Sequence, residues 1–149
     1  MEAILAAALL MCSTGDPHIA DQIIRESIAQ DTNVVVALTV GIMESGLHSN
    51  NTMGVQGCYP AALKKTHRTT NECIRIGVTS IHNRLWDAHT KLPSKADFQH
   101  CSGTGNMEMC RALAVYNGAD KGRKWVYART AMGIIRSIYR ITKAEIPKT

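Results

Sequence analysis

Glu44 is the residue whose position in the sequence most suggests acid–base chemistry. It follows an uncharged run from Val34 to Met43 and precedes a polar loop. A carboxyl group held against apolar surface has a raised pKa because burial disfavours its charged form, and a general acid near neutral pH needs a raised pKa. The alternative is a glutamate at a helix C-terminus that points into water, which is the commoner arrangement for this residue type. Glu44 is therefore a hypothesis that other parts of the chain must support.

Other kinds of catalytic site have no signature in this sequence. The histidines form no HExxH motif or other close ligand pair, so we predict no metal site. No serine stands in a GxSxG frame. Gly103 and Gly105 follow no predicted strand, so a phosphate-binding loop is not expected there, and we predict no cofactor. The six histidines are His18, His48, His67, His82, His89 and His100.

The five cysteines allow two interpretations. None of them forms a CxxC motif, which argues against a zinc ribbon or a thioredoxin-type site. Cys101 and Cys110 bracket a glycine-containing loop, and Cys58 and Cys73 flank a short predicted helix. Two short disulfides would leave Cys12 over and would imply an oxidising site of action. The other interpretation is five reduced, mostly buried thiols in a cytosolic protein.

The size and charge of the chain narrow the choice of function. A chain of 149 residues is long enough to bury a core, and we predict one domain over residues 1–149. The formal charge is +5, but the basic residues are dispersed along the sequence. No arginine-rich block or basic strand with interleaved aromatic residues occurs, so we do not predict a nucleic-acid partner. An acidic polymer such as a cell wall or envelope accounts for the charge equally well.

The sequence offers no segment for stable membrane insertion. Its longest apolar run is much shorter than the ~20 apolar residues of a membrane-spanning helix. Residues Ala3–Met11 are apolar, but Glu2 stands where a secretory signal would carry Lys or Arg. We therefore interpret residues 1–15 as an N-terminal core helix, with an atypical export signal as the alternative.

The segment before Glu44 is the element that must position its side chain. The β-branched residues of Val34–Met43 and Gly41 favour a strand, but no partner strand with alternating polarity occurs elsewhere. We therefore predict a helix, which places Glu44 on the same face as Ala37, Val40 and Gly41. Asp31, Thr32 and Asn33 supply residues that can cap its start.

The remaining segments also predict helices. Asp16-Pro17 is a typical helix start, Asn71 can cap a long amphipathic helix, and Asn117-Gly118 is a typical helix end. The fold class is therefore all-α, a compact domain of about seven helices with one long polar loop. The other predicted elements are a helix with Ile19, Ile23, Ile24 and Ile28 on one side, a short helix from Pro60, a loop over 91–105, helices over 107–116 and 121–140, and a solvated tail over 143–149.

Four motifs, taken in order, resemble the lytic transglycosylase family. This family belongs to the soluble-lytic-transglycosylase branch of the lysozyme-like superfamily, which includes goose-type lysozyme. The resemblance covers residues 16–140, and the helix that carries Tyr127 and Arg129 is similar to the family's closing helix. The motifs are Glu44-Ser45-Gly46, Met53-Gly54-Val55-Gln56, Asn71 with Gly77, and Ala112-Leu113-Ala114-Val115-Tyr116-Asn117-Gly118.

The resemblance implies a lysozyme-like fold with a substrate groove and a role for each matching residue. Glu44 would be the only catalytic acid and base, acting on the bond between N-acetylmuramic acid and N-acetylglucosamine. Ser45 would hold the loop or the sugar, and Tyr127 would form a hydrogen bond near Glu44. Gln56, Tyr116 and Asn117 would contact substrate. Met53 stands where the family usually has glycine, and the loop is shorter than usual, so Asn50 or Asn51 could replace Gln56.

The function implied by the resemblance is cleavage of peptidoglycan glycan strands by a monomeric, extracytoplasmic enzyme. It would act in the periplasm or cell envelope, as a phage lysis or virion-borne enzyme or as part of a secretion system. One alternative is a muramidase of the same fold that adds water across the bond. The other is a basic helical protein that binds envelope or nucleic acid and has no enzymatic activity.

Overall fold

The protein is all-helical. The computed structural model describes residues 1–58, 68–120 and 122–148, and these residues contain seven helices and no strand. This confirms the all-α prediction, including the helix before Glu44. No helix within these residues has the length and apolar character needed to cross a membrane. The helices are α1 Glu2–Met11, α2 Pro17–Ala29, α3 Val34–Ser45, α4 Thr70–Thr90, α5 Lys95–Cys101, α6 Met107–Asn117 and α7 Gly122–Ile141.

Side-chain caps explain where several helices begin. Asp16 accepts a hydrogen bond from the His18 backbone N–H at 2.8 Å, and Pro17 occupies the first helical position of α2. Asn33 accepts from the N–H of Val36 at 3.0 Å and starts α3. These caps lie where the sequence predicts them.

Two predictions about the rest of the chain differ from the structure, and a third falls on residues that the structure does not describe. Residues 91–105 are not all loop, because α5 lies within them; Ser94 and Asp97 form a reciprocal capping box that starts it. The long helix α4 is capped by Thr69, whose hydroxyl accepts from the Glu72 N–H at 3.2 Å, and Asn71 lies inside the helix. The predicted short helix from Pro60 lies outside the described residues.

The chain folds into two compact units, residues Met1–Thr79 and Ser80–Thr149. In the first unit, α1, α2 and α3 pack on one another around a core of aliphatic side chains. The first turns of α4 join this unit through Gln30 at the end of α2, which donates to the carbonyl of Arg75 and accepts from the Thr79 hydroxyl. Ile28 is exposed although its spacing matches the buried isoleucines of α2.

The second unit is built on α5, α6 and α7, with α6 and α7 packed closely. Arg111 on α6 connects its elements: it pairs with Asp97 at 3.0 Å and donates to the carbonyls of Ala88, Lys91 and Leu92. The guanidinium therefore satisfies a carbonyl in the last turn of α4 and two carbonyls in the segment that follows it.

Most residues after α7 are exposed, but part of this segment contacts the loop before α6. Asn106 caps α6 with its side-chain oxygen and donates its amide to the carbonyl of Pro147 at 2.7 Å. Ile146 is half-buried and lies close to Gly105.

Two disulfides cross-link the chain, one in each unit. Cys58 joins Cys73, and Cys101 joins Cys110. The disulfide interpretation of the sequence is confirmed, and the interpretation with five reduced thiols is wrong. Cys12 is a thiol whose sulfur donates to the carbonyl of Gly46 at 3.2 Å. Disulfides persist in oxidising environments, so this pairing is compatible with a site of action outside the cytoplasm.

Candidate functional site around Glu44

Glu44 lies in the last turn of α3, where the apolar helix meets a loop. Its side chain is half-buried, and Ala37, Val40 and Gly41 on the same helical face are buried. The helix ends at Gly46, which has φ of 66° and donates its N–H to the carbonyl of Ile42. A left-handed residue at this position is the usual way to stop a helix and turn the chain back.

Ser45 organises this helix end through its hydroxyl group. The Ser45 Oγ donates to the carbonyl of Gly41 at 3.1 Å and accepts from the backbone N–H of His48 at 3.1 Å. The single O–H donor of the side chain is therefore used by the protein itself. Of the two roles expected for Ser45, holding the loop is the one that these bonds serve.

The loop 46–58 returns to Glu44 through Gly54. A Cβ atom built on Gly54 would lie 2.6 Å from both Cδ and Oε2 of Glu44, closer than real Cβ atoms approach other heavy atoms. Gly54 also has φ of 69°, in the left-handed region that side chains disfavour. The carboxyl group thus lies directly against loop backbone, and only glycine permits this contact.

Met53 anchors the loop beside Gly54. Its side chain is completely buried and packs against the α-carbon of Gly77 on α4, where a Cβ atom would overlap Met53. Leu47 is also completely buried, near Gly41. Met53 therefore occupies the space that Gly77 leaves open, and it sets the position of the next residue, Gly54.

Two hydrogen bonds and a disulfide hold the loop 46–58 in place. The hydroxyl of Thr52 donates to the carbonyl of His48 at 2.7 Å, and the N–H of Gly54 donates to the carbonyl of Asn51 at 3.1 Å. The disulfide from Cys58 to Cys73 ties the end of the loop to α4. The backbone that contacts the Glu44 carboxyl is therefore held on both sides.

The amides expected to contact substrate differ in their surroundings. Gln56 is exposed, two residues beyond Gly54, and Asn50 is exposed as well. Asn51 has φ of 52°, and its Oδ1 atom is buried without a hydrogen-bond partner in the part of the chain that the structure describes. A buried acceptor of this kind is uncommon and invites a polar ligand or a water molecule.

Tyr116, Asn117 and Tyr127 belong to the second unit. Tyr116 and Asn117 form the end of α6, Tyr127 lies on α7, and all three are half-buried. The Oδ1 atom of Asn117 accepts from the N–H of Ala119 at 3.2 Å, which orients the amide at the turn after the helix. Gly118 ends α6 with φ of 65°, in agreement with the predicted helix end.

The structure therefore brings together Glu44, Ser45 and the Gly54 segment in one unit, and Tyr116 with Asn117 in the other. Gly54 and the pair of Met53 with Gly77 were not recognised in the sequence as parts of the site.

Two other features of the described residues bear on alternative chemistry. No group of three or more His, Cys, Asp or Glu side chains converges there to hold a metal ion. A pocket of about 230 Å³ lies within the second unit beside Arg111 and Val115, and none of the predicted site residues lines it.

Comparison of the chain with protein-family models, with curated proteins and with solved structures finds no match.

Proposed function

We propose that this protein is a peptidoglycan lytic transglycosylase with a lysozyme-like site and that Glu44 is its catalytic acid and base. The observation that supports this most is the position of the Glu44 carboxyl, half-buried at the end of an apolar helix and in contact with the backbone of Gly54. A solvent-directed surface glutamate would not require a glycine at that contact. The contact with Gly54 instead fixes the position of the Glu44 carboxyl.

The proposed reaction needs one carboxyl group in two successive roles. Protonated Glu44 donates its proton to the glycosidic oxygen as the bond from C1 of N-acetylmuramic acid breaks, and N-acetylglucosamine leaves with a free hydroxyl. The Glu44 carboxylate then accepts the proton of the muramic acid 6-hydroxyl as that oxygen bonds to C1. The product is a 1,6-anhydro ring, water is not consumed, and Glu44 ends in the protonated state in which it began.

A hydrolytic mechanism would require a second carboxylate to activate water or to act as nucleophile. The chain has no Asp or Glu between Glu44 and Glu72, so the loop 46–58 supplies none. The absence of an acid from the loop that contacts Glu44 supports a mechanism with a single carboxyl group.

The neighbouring polar groups are proposed to bind the glycan. Gln56 and Asn50 are exposed and can reach a sugar, whereas the Oδ1 atom of Asn51 is buried and would contact one only if the loop moved. In the second unit, the bond from Ala119 orients Asn117 so that its amide N–H groups can donate to a sugar. Tyr116 and Tyr127 would supply aromatic surface and hydroxyl groups.

The two disulfides support a site of action outside the cytoplasm. The cell envelope or periplasm, with phage lysis or virion entry as a setting, is the location that the proposed substrate implies.

The test is digestion of purified peptidoglycan by the wild-type protein and by Glu44→Gln, followed by mass spectrometry of the released muropeptides. Glutamine keeps the shape of the side chain but cannot transfer the proton. We expect anhydro ends from the wild type and a loss of about 10²–10⁴-fold in rate for the variant. Equal far-UV circular dichroism and equal melting temperatures are required of both proteins.

Two results would contradict the proposed reaction, and each would favour a different function. Reducing ends, heavier by one water molecule, would indicate a muramidase of the same fold. Peptidoglycan left intact by both proteins would overturn the enzymatic proposal and favour a binding protein.

A further inference from the structure

The net positive charge of this protein lies in one of its two units. Residues 80–149 contain twelve Lys and Arg against five Asp and Glu, a formal charge of +7. Residues 1–79 contain five Lys and Arg against seven Asp and Glu, a formal charge of −2. The basic residues that look dispersed in the sequence are therefore concentrated in the unit that carries α7.

Helix α7 is the most basic element of that unit. Its twenty residues include five cationic side chains and no acidic one. Arg129, Arg136 and Arg140 are separated by seven and four residues, which places them on one side of the helix, and all three are exposed. The row extends over about 16 Å at about 1.5 Å per residue. We call these three residues the arginine ridge.

Each arginine of the ridge contacts a group that carries no negative charge. Arg129 lies 2.9 Å from Nδ1 of His100, Arg136 donates to the carbonyl of Thr104, and Arg140 lies 3.4 Å from the Ser137 hydroxyl. These contacts hold the side chains, and within residues 1–58, 68–120 and 122–148 no Asp or Glu forms an ion pair with them. A guanidinium has five N–H donors, so each arginine retains donors for a ligand.

The stability of the helix does not explain this arrangement. Arg136 and Arg140 are a like-charge pair four residues apart, which destabilises a helix. None of the ion pairs among the described residues includes an arginine of the ridge. They are Arg25 with Asp21, His89 with Glu108, and Arg111 with Asp97. Arg140 lies in the last turn, where the helix dipole favours a cation, but its repulsion of Arg136 remains, and an anionic partner would offset that repulsion.

The surroundings of the ridge indicate what kind of anion fits. The exposed side of α7 next to the ridge carries Val126 and Gly133, and no atom would lie within 4 Å of a Cβ atom on Gly133. The aromatic residues nearest the ridge are Tyr139, which is half-buried, and Trp125, which is buried and stacked on His100, so neither offers the open row of exposed rings on which nucleic-acid bases stack. The apolar face of α7 is buried in the unit's own core and cannot enter a bilayer.

We propose that the arginine ridge binds the carboxylate groups of the peptide stems of peptidoglycan. Arginine forms paired hydrogen bonds with carboxylates, and a flat polar ridge suits a bulky polymer that carries such groups at intervals. The inference rests on the proposed function for the identity of the polymer. It adds a binding surface that acts apart from Glu44.

The test measures cosedimentation with intact purified peptidoglycan, with Glu44→Gln as the parent so that the wall is not digested. Arg129→Gln/Arg140→Gln removes two ridge charges. Arg123→Gln/Lys95→Gln removes two exposed charges of the same unit away from the ridge and is the control. We expect the ridge variant to bind about two- to thirtyfold more weakly than the parent and the control to bind almost as the parent does. Equal melting temperatures are required of all three proteins.

A second arm uses peptidoglycan whose carboxylates have been amidated, to which parent and ridge variant should bind equally weakly. The proposal is overturned if ridge and control variants bind alike, if amidation changes nothing, or if the ridge substitutions weaken binding only to duplex DNA or anionic vesicles. Its failure is separable from that of the proposed function. A Glu44→Gln variant that still cleaves the wall refutes the catalytic proposal alone, while unchanged binding by the ridge variant refutes the inference alone.

Discussion

Replacing Gly54 by alanine should separate the position of the Glu44 carboxyl from the stability of the fold. The new methyl group would lie 2.6 Å from Cδ and Oε2 of Glu44. Because the carboxyl is the far end of a flexible side chain, it can move away at little cost in folding free energy. The backbone penalty remains, since alanine with φ near 69° costs about 1–2 kcal/mol, partly offset by the smaller entropy of the unfolded chain.

Activity should fall much more than stability. A misplacement of about 1 Å in a catalytic group can lower the rate about 10²-fold. We therefore expect Gly54→Ala to lose about 1 kcal/mol of unfolding free energy and about 10²-fold in the rate of peptidoglycan cleavage. Urea unfolding and release of soluble muropeptides measure the two quantities.

Gly57→Ala is the matched control in the same loop. Gly57 has φ of 84°, but among the described residues a Cβ atom there meets only the Nε atom of Arg68 at 3.5 Å, an ordinary contact. It should lose similar stability and keep the wild-type rate. If Gly54→Ala cleaves peptidoglycan at the wild-type rate, or if both variants lose activity equally, contact with Gly54 does not position Glu44.

Three other predictions concern the framework of the two units. Arg111→Met should lower the unfolding free energy by about 2–4 kcal/mol because it removes an ion pair and three bonds to carbonyls, and Arg111→Lys should recover only part of this loss in urea unfolding. Gly77→Ala and Met53→Ala should each lower the free energy of unfolding. The double variant should lose less than the sum of the two losses, because truncating Met53 makes room for the new methyl group. Additive losses would contradict the packing of Met53 against Gly77. Removing the disulfide between Cys58 and Cys73 with serine should cost about 3 kcal/mol for its 15-residue separation, and a non-reducing gel of the wild type that shows no mobility change on reduction would contradict the cross-links.

The sequence predicted those helices whose signals are local. Asp16-Pro17, Asn33 and Gly118 mark ends of helices through bonds within a few residues, and the structure places helix ends at each. The segment Val34–Met43 was ambiguous by composition, and the lack of a partner strand decided it correctly as a helix. The caps are read from short stretches of chain, whereas the assignment of Val34–Met43 required the whole sequence.

Helix α5 was missed because opposite signals overlap. Pro93 and two glycines predicted a loop, although Ser94 and Asp97 form a capping box that a scan for the motif would have found. The expected number of helices therefore agrees with the structure partly by coincidence, since α5 was not predicted and the predicted helix from Pro60 lies outside the described residues.

The contacts around Glu44 could not be predicted because they join distant parts of the chain. Nothing local to Met53 indicates that its side chain fills the space at Gly77, and nothing local to Gly54 indicates that it lies against a carboxyl group ten residues earlier. The sequence resemblance identified Glu44 as a candidate, and tertiary packing supplies the reason that its position is controlled.

Digestion of peptidoglycan in water enriched in heavy oxygen tests the proposed mechanism most directly. The wild-type protein should release anhydro-muramyl ends that contain no label, because the muramic acid's own 6-hydroxyl oxygen closes the ring, and Glu44→Gln should release almost none. Labelled reducing ends, or equal amounts of product from Glu44→Gln, would contradict the assignment of Glu44 as the single acid and base of a transglycosylase.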